Sequence, residues 1–186
     1  MTAIHGTEQT FSERDLRDAL GLFPTGVTVV TTVTPAGEHV GATVSSFNSV
    51  SLQPPLILFS MARNSRAFQV WLAARHFAVN VLAQHQSKLS TAFARTPTDK
   101  WAGVGFRTGS HGVPLLADSL MCLECERYAQ YEGGDHLIIV GRVVTFHANK
   151  KSDVAPLIFF RSKYEQLVTW NSAEASGEPV GFQYGW

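Results

Sequence analysis

The densest chemistry in this sequence lies between two apolar runs, at Ser45-Ser46-Phe47-Asn48-Ser49-Val50-Ser51-Leu52-Gln53. The alternation Val40, Ala42, Val44 predicts a strand with one buried face, and Leu56 to Phe59 predicts another, so residues 45–53 are expected to form a loop at strand ends. Hydroxyls and free backbone N–H groups in such a loop can surround an anionic oxygen, because clustered N–H groups concentrate positive potential without Lys or Arg. The same residues equally suit an ordinary turn, in which short polar side chains bond neighbouring backbone and only shape the loop.

Further groups could work with this loop. Arg63-Asn64-Ser65-Arg66 precedes a helical pattern through Phe68, Trp71 and Leu72. A helix N-terminus with unpaired N–H groups and a guanidinium suits a phosphate; Asn64 or Ser65 could also be a plain cap and Arg66 a solvated charge. Arg95 ends a second helical pattern, where a cation can meet an anion or complement the helix dipole. Gly133-Gly134-Asp135-His136 reads as a tight turn, with His136 opening the apolar strand Leu137 to Val140. Cys122 and Cys125 form a lone C-x-x-C in a strand-like run, where their spacing puts them on opposite faces, and no second pair completes a metal site. Gly103-Val-Gly105-Phe-Arg-Thr-Gly109 imitates a dinucleotide-binding glycine motif, but its third glycine is one place late and no helical run follows, so it reads as a turn-rich connection.

The elements that must position these groups are mostly strands. Ser12 and Asp15 match a helix start, followed by Leu16, Ala19, Leu20 and Phe23 at helical spacing. Thr25 to Val33 is β-branched, and Pro35-Ala-Gly37 turns it into a strand over Glu38 to Val44. His76 to Ala83 predicts a strand, and Gln86 to Arg95 a helix that Pro97 breaks. Leu120 to Tyr131, His136 to His147 and Ala155 to Phe160 predict three further strands. Such a pattern implies a mainly antiparallel sheet, closed into a barrel to protect its edges, with a few peripheral helices.

Composition bounds the partners. The 186 residues are expected to form one domain over residues 1–170, with a polar C-terminal tail at 171–186 in which Phe182, Tyr184 and Trp186 could dock on a neighbour. Fifteen Lys and Arg balance fifteen Asp and Glu, leaving no basic excess for nucleic acid. No apolar run approaches the ~20 residues that span a bilayer, and the opening MTAIHGTEQTFSERDL lacks the basic-then-apolar order of a secretory signal. A cytoplasmic protein without nucleic-acid or membrane partners is expected. Charged residues at 16% against 45% hydrophobic ones imply some apolar surface covered by a second copy.

The segment Thr43-Val-Ser-Ser-Phe-Asn-Ser-Val-Ser-Leu-Gln-Pro-Pro-Leu56, together with Gly133-Gly-Asp-His136, resembles the short-chain flavin reductase family, the reductase halves of two-component flavin monooxygenases. The likeness runs from Phe23-Pro-Thr-Gly-Val-Thr-Val-Val30 to Pro156-Leu-Ile-Phe-Phe-Arg-Ser-Lys-Tyr164. It implies a flavin reductase-like split β-barrel of Greek-key antiparallel type, a homodimer, FMN or FAD as flavin, and NADH or NADPH as co-substrate. By this resemblance Ser45, Ser46, Phe47, Asn48 and Ser51 belong to the flavin loop, with backbone N–H groups as donors to the ring edge. Arg63, Asn64, Ser65, Arg66 and Arg95 become phosphate ligands, and His136 lies beside the flavin face where nicotinamide stacks. Hydride transfer needs two rings held parallel, so His136 is expected to orient rather than to donate a proton. Arg161 and Tyr164 match a segment near the nicotinamide nucleotide, although Phe159-Phe160 and Ser162 stand where family members often carry a tyrosine and a glycine.

Two functions follow as expectations. One is an NAD(P)H:flavin oxidoreductase that supplies reduced flavin to a separate flavin-dependent monooxygenase. The other is a flavin-binding electron carrier or redox sensor with no NAD(P)H oxidation of its own, which would need the flavin loop but not His136, Arg161 and Tyr164.

Overall fold

The computed structural model describes residues 10–95, 99–149 and 154–167. The expected break at Pro97, the boundary at residue 170 and the tail with Phe182, Tyr184 and Trp186 lie outside the described residues. In chain order the elements are α1 (Glu13–Leu20), β1 (Thr25–Gly26), β2 (Thr28–Val33), β3 (His39–Val44), β4 (Asn48–Leu52), β5 (Pro55–Ala62), α2 (Phe68–Ala73) and β6 (His76–Val81). There follow α3 (Ser87–Ala94), β7 (Phe106–Thr108), β8 (Pro114–Leu116), β9 (Met121–Gly133), β10 (His136–Ala148), β11 (Ile158–Phe160) and β12 (Lys163–Glu165).

A seven-stranded sheet runs β3-β2-β6-β9-β10-β5-β4, and every pairing in it is antiparallel. Hairpins β2–β3, β4–β5 and β9–β10 are local, while β2–β6, β6–β9 and β5–β10 join distant segments. That mixture curls the sheet into the expected mainly β barrel. Closure brings β3 back toward β5. There the Ser46 hydroxyl accepts the Ser60 N–H at 2.9 Å and donates to the Ser60 carbonyl at 3.3 Å, so a side chain bridges where no strand pair does.

Inside the barrel, Phe59 meets Trp71 and Phe77 edge to face at 5.7 and 5.3 Å, among Val30, Val79, Leu137 and Ile139. Burying each such ring stabilises the fold by roughly 1.5–3 kcal/mol. Val40, Ala42 and Val44 pack on this core, as their alternation requires. Cys125 joins the same core, whereas Cys122 packs with Ala78, Val113 and Leu115 on the other face of β9. Both are free thiols, and burial pushes Cys125 up to about 12, which leaves it inert. A second cluster, Val27, Val29, Leu82, Phe93, Leu116 and Leu157, seats α3 on the outside of the barrel.

Three expectations need correction. Residues 45–53 are not all loop: Asn48–Leu52 is an edge strand whose register on β5 shifts between Ser49 and Ser51. Its alternation, with Asn48, Val50 and Leu52 all outward, mixes polar and apolar residues and so carries no amphipathic signal. α2 begins at Phe68 behind Ala67, with no side-chain cap, because Ser65 and Phe68 N–H groups are already taken by the Ala62 and Ser65 carbonyls in consecutive turns. Asn64 and Ser65 therefore precede the helix rather than cap it. The 103–109 stretch holds a strand, β7, paired with β8 in a small hairpin. No helix among the described residues is long and apolar enough to cross a membrane.

Candidate functional site

A cleft of about 780 Å³ opens between β3, the end of β5, the 64–67 turn and the C-terminal end of α3. Its volume lies within the ~300–1,000 Å³ typical of small-molecule and cofactor sites. Local sequence explains its walls. Gly41 lets α3 lie flush on β3: a Cβ there would stand 2.5 Å from the Phe93 ring. Thr43 fastens the same contact, its hydroxyl donating to the Ser90 carbonyl at 2.7 Å. Trp101 completes an aromatic flank, edge to face with Phe93 at 5.0 Å and with Phe106 at 5.4 Å, and His39 leans on it at 5.2 Å.

Seven of the residues expected from sequence line this cleft: Ser45, Ser46, Asn64, Ser65, Arg66, Arg95 and His136. The Ser46 hydroxyl is spent on Ser60, so its contribution is to shape the floor. The other polar side chains at the rim, Ser45, Asn64, Ser65, Arg66 and Arg95, make no hydrogen bond among the described residues. His136 is held by its Nδ1 against the Asp135 carboxylate at 2.7 Å. The hydrogen bond to His136 in turn holds the Asp135 carboxyl below the usual range. With Nδ1 engaged, Nε2 is the nitrogen left for a ligand.

Electrostatically the cleft favours an anion. Arg66, Arg95 and Lys100 face it against one carboxylate, Asp99, which already accepts the N–H groups of Trp101 and Ala102 at 2.9 and 3.1 Å. Burial pulls the Lys100 ammonium below its ordinary pKa, and its Nζ donates to the Phe93 carbonyl at 3.1 Å. A bound anion would relieve that desolvation. Lys100, Trp101, Thr43, Ser60 and His39 were missed by sequence reasoning. Lys100-Trp101 left a signal, a cation beside a large aromatic in a polar stretch.

Six expected residues lie elsewhere. Phe47 packs on the barrel core. Asn48 turns its carboxamide oxygen back to the Ser49 N–H at 2.9 Å, and the Ser51 hydroxyl accepts the Gln53 N–H at 3.2 Å, shaping the β4–β5 turn. Arg63 clamps the β9–β10 turn: its Nε donates to the Gly134 carbonyl at 3.1 Å, it pairs with Glu132, and its guanidinium covers Phe68. Arg161 stacks on Phe160 and lines a separate recess with Arg17 and Gly21. Tyr164 donates its hydroxyl to Ser90 of α3 at 2.8 Å.

A flat, hydrogen-bonding ring with an anionic tail matches what the cleft offers: an apolar aromatic flank, small hydroxyl and amide donors, and three cations. Flavin phosphates, whose oxidised isoalloxazine ring is planar, have this character. Comparison with known proteins agrees. A protein named "Probable flavin reductase" from Rhizobium meliloti is 46% identical over 140 residues, covering 75% of this chain and 45% of the relative. The reductase subunit HsaB of a flavin-dependent monooxygenase from Mycobacterium tuberculosis is 37% identical over 151 residues, covering 81% of this chain and 80% of the relative. Among solved structures, the NADH:FAD oxidoreductase SgcE6 of Streptomyces globisporus, in complex with NAD and FAD fragments, superposes with a TM-score of 0.79 at 36% identity. That match covers 84% of this chain and 94% of the other. This chain thus spans under half of the first relative but most of the other two. The family model for the flavin reductase like domain matches residues 20–168, nearly all of the barrel and the whole cleft, and the chain belongs to that family.

Proposed function

We propose that this protein is an NAD(P)H:flavin oxidoreductase that reduces FMN or FAD and releases it to a separate flavin-dependent monooxygenase. The observation that carries the reading is the cleft itself, where donors, an aromatic flank and three cations converge beside His136. Flavin bound there would supply the hydride acceptor for a reduced nicotinamide. Arg66, Asn64 and Ser65 from the turn and Arg95 and Lys100 from the opposite wall hold the phosphate end. Ser45 and the backbone of the 45–46 segment meet the polar ring edge. Phe93 and Trp101 exclude water from one flank. His136, pinned through Nδ1, orients the second ring, and the protein's contribution to rate is proximity and dry, fixed dipoles.

The position of Arg161 and Tyr164 outside the cleft favours the second reading, a flavin carrier or sensor. Mixing the full chain with NADH or NADPH and each of FMN, FAD and riboflavin separates the two. Oxidation of the nicotinamide that rises with free flavin supports the reductase; bound flavin without turnover supports the carrier.

We also infer a homodimer acting in the cytoplasm. Edge strand β4 leaves Val50 and Leu52 46% and 68% exposed, and Val144 and Phe146 of β10 are likewise uncovered. A bare apolar edge is a liability that a second copy removes. Two buried free thiols accord with a reducing compartment.

A further inference from the structure

We propose that Tyr164 is a positioning residue for the flavin cleft, acting through Ser90 of α3 rather than by touching nicotinamide. The proposal rests on the reading of the cleft as a flavin site. Tyr164 sits in β12, which pairs with β11, which pairs with β1. Its hydroxyl donates to the Ser90 hydroxyl at 2.8 Å, with Thr91 Oγ1 at 3.4 Å. Ser90 is fully buried, and its carbonyl accepts the Thr43 hydroxyl at 2.7 Å. One residue of the helix is therefore tied at once to the β11–β12 hairpin, through its hydroxyl, and to the β3 wall of the cleft, through its carbonyl.

The helical repeat sets the consequence. Phe93 and Ala94 stand three and four residues after Ser90, on the same face, and both line the cleft, followed by Arg95. The Phe93 carbonyl also receives Lys100 Nζ. A small shift of α3 away from β3 would move the aromatic flank and two of the three cations together. Tyr164 opposes that shift by holding the Ser90 hydroxyl. Its ring is itself fixed edge to face on Phe159 at 5.8 Å, and Phe159 packs on the cluster beneath α3. The β11–β12 hairpin is further anchored by the Arg161 N–H, which donates to the Gly21 carbonyl at 2.9 Å.

The test uses the full chain and two conservative variants, Tyr164→Phe and Ser90→Ala, with FMN and FAD as probes. Flavin Kd is read by fluorescence quenching, steady-state KM for NADH and NADPH by absorbance, and folding by thermal unfolding. Each single variant is expected to raise flavin Kd about three- to tenfold, the loss of one hydrogen bond to a buried group. KM for the nicotinamide should stay within about twofold, and the double variant should be no worse than either single one, because both break the same link. A raised nicotinamide KM with unchanged flavin Kd would overturn the proposal in favour of direct contact. Additive effects, or a lowered Tm with flavin Kd unchanged, would overturn it in favour of a merely structural tie. A wild-type chain that quenches no flavin would overturn the flavin reading and this proposal together, an outcome told apart from the others because they leave wild-type binding intact.

Discussion

Replacing Gly41 with alanine tests whether the seating of α3 on β3 defines the cleft. The added Cβ would stand 2.5 and 2.7 Å from two carbons of the Phe93 ring and 3.4 Å from Trp101. Carbon atoms settle at about 3.5–4.0 Å, so the ring must retreat by roughly 1 Å. It has nowhere free to go, because Phe93 is buried and braced edge to face by Trp101. Overpacking of this kind costs about 1–3 kcal/mol. For a chain of this size each kcal/mol lowers Tm by about 2–4 °C, so a fall of roughly 2–12 °C is expected. Flavin affinity should fall with it, since both displaced rings line the cleft. Thermal unfolding and flavin quenching read the two effects. Phe93→Ala supplies the control: alone it costs about 3–5 kcal/mol, but in the Gly41→Ala background the new methyl occupies part of the void, and the double variant should lose less than the sum. A Gly41→Ala protein with wild-type Tm and wild-type flavin affinity would refute the reasoning.

Other perturbations separate stability from function. His136→Ala should slow nicotinamide oxidation while flavin Kd changes little; unchanged turnover would remove His136 from the mechanism. Lys100→Met should weaken flavin binding and reduce its salt dependence while Tm holds or rises, because burial already disfavours the charged amine; a Tm loss with normal flavin affinity would contradict this. Glu124 is buried on β9, and although burial works to raise its pKa, hydrogen bonds from His147 and from the Ser110 N–H hold it below the ordinary 4.5. A depressed carboxyl stabilises the fold above its unfolded pKa and loses that contribution as pH falls through the folded one. The urea midpoint of the wild type should therefore drop below about pH 4.5, and Glu124→Gln should flatten that limb. An acid limb of unchanged steepness in the variant would exclude Glu124 as its source.

The strand pattern was legible because most strands bury one face, and Val40, Ala42 and Val44 or Leu137 to Val140 announce it directly. β4 was not legible, since its outward positions hold Asn48, Val50 and Leu52, and an edge strand needs no consistent face. Ser45 and Ser46 of the polar loop and His136 of the Gly133–His136 turn reach the cleft, and they stood out because small hydroxyls and a histidine beside apolar runs are local signals. Arg63 misled, since a guanidinium before a helix looks the same in sequence whether it meets a ligand or clamps a neighbouring turn. Lys100 and Trp101 escaped because their place depends on Phe93, whose position depends on Gly41, and no window of sequence contains that chain of contacts.

Ser46 shows why the structural and functional readings of the polar loop need not compete. A barrel closed entirely by strand pairing would have no gap between β3 and β5, and the cleft would not exist. A gap left with bare β5 backbone would expose the Ser60 N–H and carbonyl at the floor, with nothing to set the distance between the two walls. One hydroxyl that accepts from that N–H and donates to that carbonyl satisfies both groups and fixes the spacing, yet leaves room beside it. A larger polar residue would reach the same atoms only by filling the space, and an apolar one would leave them to water with nothing to fix the spacing. The requirement for a small hydroxyl thus follows from closing the barrel, and the place where it closes is the floor of the cleft.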